Sequence, residues 1–575
     1  MKPCYYVRRL CFTFVLFLGF AASFAFAELS SSAPKNFHPN ELSIALNAEF
    51  DTLNPVINAM MAAVYVQDSV LRPLVALTPE GKPYPVLIKE IPSLENHKMK
   101  LIKVAEGKGP TALSAQFEIL AEAKWGDGEP VICEDIRAAW LIGKHPNVSA
   151  PAKDDFSNIE EISADSQNPK LCTVLFKKAQ WNFYLNFPRP LAAHLELKIF
   201  EKHKDQPQAY ERNSLYVREP TNPGLYNGPY RVTEIKIGNH VSLAANSFFY
   251  GTKPYFQKVI FKFILNSSSM EANLRTGAIQ IASSSGLSFD QALAFGKKVK
   301  KENLPFQVIF VPGVVYAHLA LNLDNEKLKD KQVRQALAYA LNRKEMTQAF
   351  FEGKQPPAFH FSTPLDSWYT EDPELIKVYK YDKAKSNQLL DQAGWKKGPQ
   401  GFRYKDGKKL SLTISGVSDY KLNEMIEVFI QSAWKQVGVE LLIKNYPARV
   451  LFSSIVRERK FEIGFYSWVN LPDDILRGSL HSSMIPTLEN SWSGSNRSGW
   501  RNKQVDEWLD QTESEFDPKK RLQLMHKVLK AYTEDLPAIP GYYRTNVSVI
   551  PVGLKNYRMS GHVYTEYLNI EKWSY

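Results

Sequence analysis

Residues Phe117 to Asp135 read FEILAEAKWGDGEPVICED, and this run leaves the backbone few choices. A strand-like alternation leads into Trp125-Gly126-Asp127-Gly128. Glycine takes a positive φ there without a Cβ clash, and Asp bonds its own backbone, so the chain turns tightly. Pro130 stiffens the segment that follows, and Glu134 and Asp135 suit the positive N-terminal end of a helix. The run predicts a strand–turn–helix corner. On physics alone it carries no chemistry.

The same alternation continues along the chain. Leu42 to Leu46 reads as a strand, with Asn54-Pro55 beyond it, and Ala62 to Leu71 as a helix closed by Pro73. Asp330 caps a helix whose Val333, Leu337, Ala340 and Leu341 share one face; Asp382 caps another that ends at Gly394. Leu422, Met425, Ile426, Phe429, Ile430 and Val437 form an apolar stripe before Gly438, and Val439 to Ile443 is then a strand. Strands alternating with helices argue an α/β fold. A chain of 575 residues exceeds what one core organises, so two or three domains follow. Gly/Pro-rich breaks at 218–229, 311–313 and 536–541 are candidate crossings between lobes.

Arg8 and Arg9, the apolar run Leu10 to Phe20 and Ala25-Phe26-Ala27 fit a secretory signal peptide over residues 1–27. The alternative is an uncleaved anchor, because Leu10 to Ala27 approaches spanning length. No later segment is long and apolar enough to span a bilayer. The formal charge of +11 includes Lys2, Arg8 and Arg9, and no run of five basic residues exists, which argues against nucleic acid as a partner. Beyond the leader stand two cysteines, Cys133 and Cys172. In an oxidising compartment they form one disulfide; otherwise they are two separate buried thiols.

No catalytic pattern stands out: G-x-S-x-G, H-E-x-x-H, a P-loop and zinc-type cysteine pairs are all missing. Asp473-Asp474 is the one acid pair that invites a secreted-hydrolase reading. Adjacent residues on a strand point to opposite faces, so the pair converges only in a loop. The reading is therefore a binding protein rather than an enzyme, with no metal and no cofactor.

Several segments, in chain order, resemble one family. The 117–135 run is similar to the aromatic-x-D-G-x-P, x-x-x-E-D signature of the peptide/nickel class, solute-binding protein family 5, which delivers ligands to ABC transporters. Asn227 to Arg231 resembles its G-P-Y turn, and Arg275 to Ala282 its R-x-G-x-x-D-I segment, with Gln280 for the usual Asp. Leu321 to Leu323 with Val333 to Leu337 resembles L-x-N and V-R-Q-A-L. Tyr381 to Trp395 resembles Y-D-P-x-x-A-K-x-L-L-x-x-A-G-W, with Lys383 for Pro. The resemblance runs from about residue 42 to 550. It implies a two-lobed periplasmic-binding-protein clamshell, type II-like, with an extra domain in the first lobe. Lobe 1 would comprise 28–71, 206–315 and 545–575, the additional domain 72–205 and lobe 2 316–544. It also implies a monomeric periplasmic receptor that captures peptides or peptide-like solutes for ABC permease subunits in the inner membrane. A nickel chelate, haem, an oligosaccharide or an opine is the alternative ligand.

Dipeptide- and oligopeptide-binding relatives carry W-x-x-D where this chain reads Trp468-Val469-Asn470-Leu471. The resemblance implies that Trp468 lines the cleft and that an acid meets the peptide ammonium, because a buried ammonium needs a charge partner. Leu471 stands at the acid's place, which leaves Asp473 or Asp474 as substitutes, or as solvated turn residues. Further candidates are Asn470, Glu49 and Phe50 after the first strand, Asn322 at a strand end, and Tyr542 after Pro540-Gly541. The loop containing Ser491 to Asn496 and Gly499 to Asn502 borders the cleft or merely connects elements.

Overall fold

The computed structural model describes residues 37–575 except 59, 103–111, 152, 186, 284–285 and 419. The segment 1–27, read from sequence as a signal peptide, lies outside the described residues. A ten-stranded mixed sheet runs through the molecule. Its strands are β1 (Glu41–Leu46), β2 (Tyr230–Lys236), β3 (His240–Ala245), β4 (Lys258–Phe263), β5 (Ile281–Ala282), β6 (Phe306–Leu321), β7 (Ser411–Ser415), β8 (Glu440–Ile443), β9 (Ile463–Val469) and β10 (Ala538–Pro551). The spatial order is β8-β7-β9-β6-β10-β5-β1-β4-β3-β2. β1 pairs in parallel with β4 and β5, and five of its six residues are buried. That is why its sequence is apolar at consecutive positions, as expected of a strand covered on both faces.

Two strands span both halves of this sheet. β6 and β10 pair antiparallel from Phe306↔Pro551 to Ala320↔Ala538, with register shifts between Pro312 and Tyr316 and between Ala317 and His318. Before the shifts β10 touches β5 through Val549; from within them onward β6 pairs with β9, Val315 to Leu321. The shifts fall at the Gly/Pro-rich breaks 311–313 and 536–541 named from sequence. Gly541 is obligatory at this crossing: a Cβ there would stand 2.8 Å from the Ala317 carbonyl oxygen. The break at 218–229 instead forms a short 3-10 turn, Pro223–Leu225, ahead of β2.

Apolar packing follows the same division. One buried cluster takes residues from 37 to 306 and again from 547 to 575. It includes a separate four-stranded sheet in the order Met99–Ile102, Ala112–Glu118, Leu171–Phe176, Ile159–Ala164. A second cluster lies on one face of β6, β7 and β9 against helices Lys331–Tyr339, Lys383–Gln392 and Lys421–Lys435. A third covers the opposite face of β6 with helices Lys503–Ser514 and Pro518–Asp535.

The corner at 117–135 is more than a turn. Trp125 is fully buried, and its Nε1–H donates to Asp135 Oδ2 at 3.0 Å. The same carboxyl accepts from the Ile132 and Ala193 backbone N–H groups at 2.9 Å each. Those donors favour the carboxylate, yet burial outweighs them and pushes Asp135 up to about 6. Cys133, which opens the helix Cys133–Lys144, is bonded to Cys172 of the four-stranded sheet with a Cα separation of 5.2 Å.

Two stability predictions follow from this corner. Cys133→Ala with Cys172→Ala should lower the free energy of unfolding by about 2–4 kcal/mol, the usual yield of a bond closing a loop of this length. Urea denaturation with and without reductant checks it: the reducing agent should shift the parent and leave the double variant unmoved. Asp135 has a folded value above its unfolded one, so its contribution is complete below about pH 4 and is lost as pH rises through about 6. The stability of the parent relative to Asp135→Asn should therefore decline between pH 4 and 7. A difference that stays constant across that range would remove burial of this acid as a determinant.

Candidate functional site

β6 and β9 bring four aromatic side chains onto one face of the sheet. Tyr316 stands opposite Trp468, and His318 opposite Tyr466. With period two, Ala317, Leu319 and Phe465 point the other way, into the second cluster. The His318 ring stacks on Tyr316 at 4.8 Å and lies parallel to Trp468 at 6.5 Å, both with interplanar angles of 8°. Tyr466 meets His318 edge-on at 4.9 Å and Trp468 at 5.9 Å. His318 is buried among these rings, and desolvation lowers it to about 4, so it is neutral at physiological pH.

A narrow cavity of about 40 Å³ opens in front of this face. Its far wall comes from Phe361, Leu476, Leu480 and Tyr532, and its polar rim from Ser479, Ser495, Arg497 and Ser498. Tyr532, on helix Pro518–Asp535, reaches the Tyr316 hydroxyl at 3.4 Å and packs edge-on against Phe361 at 4.9 Å. The loop 491–502 thus borders the cavity. Asn496 fixes it by donating to the Leu480, His481 and Trp500 carbonyls.

The segment after β9 is folded tightly back. Asn470 is buried, its backbone N–H donates to the Val314 carbonyl, and its Oδ1 has no hydrogen-bond partner among the described residues. Asp473 sits at φ +61°, a region Asp tolerates better than most residues, and accepts from the Ser367 N–H at 2.5 Å. Its own N–H donates to Asp366 Oδ1 at 2.8 Å, and burial pushes Asp366 up to about 7. Asp474 accepts from the Leu476 N–H at 2.9 Å. Burial raises both Asp473 and Asp474 above the usual carboxylate range. Neither acid lines the cavity.

The remaining sequence candidates stand elsewhere. Tyr542 pairs with Ala317 and packs on Phe351 at 4.6 Å, on the face away from Trp468. Its neighbour Tyr543 packs in the third cluster, 6.2 Å from Tyr316, and its hydroxyl donates to the His360 carbonyl without lining the cavity. The register shift in β6–β10 sets that parity, and a strand's two faces differ by one residue. Asn322 donates to the Arg459 and Phe461 carbonyls and so secures the end of β6. Glu49 accepts from the Gly238 N–H, and Phe50 meets Phe263 edge-on at 5.7 Å, both beside the β1–β4 ladder. Tyr316, His318, Tyr466 and Arg497 were not singled out by sequence reasoning. The one available signal was the alternation Tyr316, His318, Ala320 just before Asn322.

Beside the cavity the two parts of the chain touch. Trp181 is buried in the third cluster, under the Arg521 guanidinium at 4.1 Å from its ring centroid. The Trp181 backbone N–H donates to the Glu513 carbonyl at 3.3 Å, and Gln180 Nε2 donates to Glu513 Oε1 at 3.0 Å. Gly81, at φ +79°, lies so close to the second part that a Cβ would stand 2.9 Å from the Leu365 carbonyl oxygen and 3.0 Å from Pro472 Cβ.

Among the described residues no group of three or more His, Cys, Asp or Glu could hold a metal ion, and no helix is long and apolar enough to cross a membrane. The family model for bacterial extracellular solute-binding proteins, family 5 (middle), matches residues 108–481. The oligopeptide-binding protein AppA of Bacillus subtilis (strain 168) is 25% identical over 472 residues, 80% of each chain. The oligopeptide-binding protein OppA of Lactococcus lactis subsp. cremoris is 25% identical over 421 residues, covering 66% of this chain and 65% of its own. Among solved structures, the oligopeptide-binding protein from Thermus thermophilus, complexed with a pentapeptide, superposes with a TM-score of 0.66 at 26% identity, over 94% of this chain and 97% of its own. NikZ from Campylobacter jejuni, in complex with Ni(L-His), shares the fold with a TM-score of 0.68 at 23% identity, over 94% of this chain and all of its own. With a strand pair spanning both halves of an α/β sheet and a family match over most of its length, the chain belongs to the bacterial extracellular solute-binding proteins of family 5.

Proposed function

We propose that this protein is a periplasmic receptor that closes over a peptide or peptide-like solute and presents it to the permease of an ABC importer, acting as a monomer and without catalysis. The aromatic-lined cavity in front of β6 and β9 carries the reading: it offers flat apolar walls and few charges, the composition of a ligand site. The oligopeptide-binding names of AppA and OppA, and the pentapeptide in the Thermus structure, support the ligand class.

In this reading the lobes divide as 28–71 with 206–315 and 545–575, the additional domain 72–205, and 316–544, with the β6–β10 register shifts as the hinge. Trp468 is the ligand-facing member of the sequence candidates. Asn470, Asp473 and Asp474 shape the loop behind it. Leu471 favours one other ligand class, a chelate or other solute without a free ammonium, because it stands where the resemblance implies an acid.

Native mass spectrometry of the protein purified under mild conditions, followed by titration with a random pentapeptide pool, tests the proposal. Peptide masses should be captured and released on denaturation. Consistent capture of a nickel chelate, haem, oligosaccharide or opine, with no peptide bound, would replace the ligand class and leave the fold untouched. Trp181→Ala should open the clamshell by removing a cation–π contact and a buried aromatic surface. Small-angle scattering should then record a larger radius of gyration without ligand; an unchanged radius would show that Trp181 does not hold the lobes together.

A further inference from the structure

The cavity has an electrical polarity. None of its fifteen lining residues is Asp or Glu, and Arg497 is its one permanent cation. His318 adds no charge, being neutral down to about pH 4. Acids nearby are otherwise engaged: Asp473 and Asp474 accept the backbone N–H groups of Ser367 and Leu476.

Arg497 itself lacks a carboxylate partner among the described residues. Its Nη1–H donates to the Arg457 carbonyl at 3.0 Å, and the charged or ionisable groups acting on it are the Tyr466 hydroxyl and a second cation, Arg457. Partial burial strips water from the guanidinium, whose pKa is lowered by that desolvation. Its backbone is held rigidly. Arg459 Nε donates to the Arg497 carbonyl at 3.0 Å, Arg497 N–H donates to the Ser495 carbonyl at 2.8 Å, and Asn496 is tied to three carbonyls. A half-desolvated cation on a fixed loop, facing aromatic walls, is set up to gain from an incoming anion.

We infer that Arg497 is a specificity-determining residue that binds a carboxylate of the ligand, at a peptide's C-terminus or on an Asp or Glu side chain. The inference rests on the peptide reading above and reverses the expected anchor: the ligand's negative group, rather than its ammonium, is recognised in this cavity. Tyr466 and Trp468 then flank the carboxylate with apolar surface, which keeps water from screening the pair. At about 40 Å³ the cavity holds little more than water, so entry of a carboxylate requires the 476–480 and 495–498 segments to separate.

Calorimetric titration with pentapeptides of the series Ala-Phe-Ala-Phe-Glu tests this on the full mature chain. The probes are the free acid, its C-terminal amide, the Gln analogue as free acid, the Gln analogue as amide, and the N-acetylated free acid. The carboxylate-free Gln amide should bind about tenfold or more weakly than the free acid, as for loss of a desolvated charge pair, whereas acetylation should change affinity by less than about threefold. The two members carrying one carboxylate identify its source. Arg497→Gln should bind all five alike, and Arg497→Lys should recover part of the discrimination; unfolding midpoints confirm that both variants are folded. Equal binding of the free acid and the Gln amide, or discrimination kept by Arg497→Gln, overturns the inference while leaving a peptide receptor. Binding of no member overturns the peptide reading and this inference with it.

Discussion

One hydrogen-bonded ladder, β6 on β10, makes the rest of the structure possible. β5 is reached before the register shifts and β9 from within them onward, whereas these two strands run the whole length. A continuous antiparallel ladder would be stiff, because each residue commits a donor and an acceptor. Two irregularities close together, with Pro312 unable to donate and Gly541 too near Ala317 for any side chain, interrupt that stiffness at one place. The ladder therefore joins the two halves by hydrogen bonds while gathering its irregularities within a few residues.

The same two strands also build the candidate site, which ties recognition to the crossing. β6 carries the register shifts at 312–318 and the rings of Tyr316 and His318, so a group entering the cavity touches residues at the shifts themselves. Edge-on and stacked rings are each worth about 0.5–1.5 kcal/mol beyond their buried area. Four of them locked together give a rigid wall, and rigidity lowers the entropic cost of binding. On the other face, Ala317, Leu319 and Phe465 belong to a well-packed apolar cluster, which fixes the strand that displays the rings.

Much of the architecture was legible because it depends on local chemistry. The Trp125–Asp135 corner, the Asp330 and Asp382 caps, and the breaks at 311–313 and 536–541 all come from residues acting on their own backbone. The buried role of Asp135 was not legible, since one of its donors comes from Ala193, far along the chain. Trp468 could be placed by motif; its companions could not, because the pairing of 316–318 with 466–468 is long-range. Tyr542 and Tyr543 illustrate the limit sharply. Which of two adjacent tyrosines packs on the Tyr316 face of the sheet depends on a register shift that no local pattern encodes.

The acids around the cavity show how a site's charge is set by backbone as much as by side-chain identity. Asp473 and Asp474 are close to Leu471 in sequence, but each already accepts a backbone N–H: Asp473, where the chain turns sharply, from Ser367 of a distant segment, and Asp474 from Leu476 of its own loop. Asp366 sits behind them, its oxygens taken by Thr363, Ser362 and Asp473, and burial favours its protonated form. A carboxylate already bonded to fixed donors gains less from a ligand ammonium than a free one would, and moving it would leave those donors unpaired in a buried place. Negative charge is thereby withdrawn from the cavity, while Arg497, on a loop secured through its neighbours' amides, keeps most of its donors uncommitted. The polarity of the site follows from that difference in commitment.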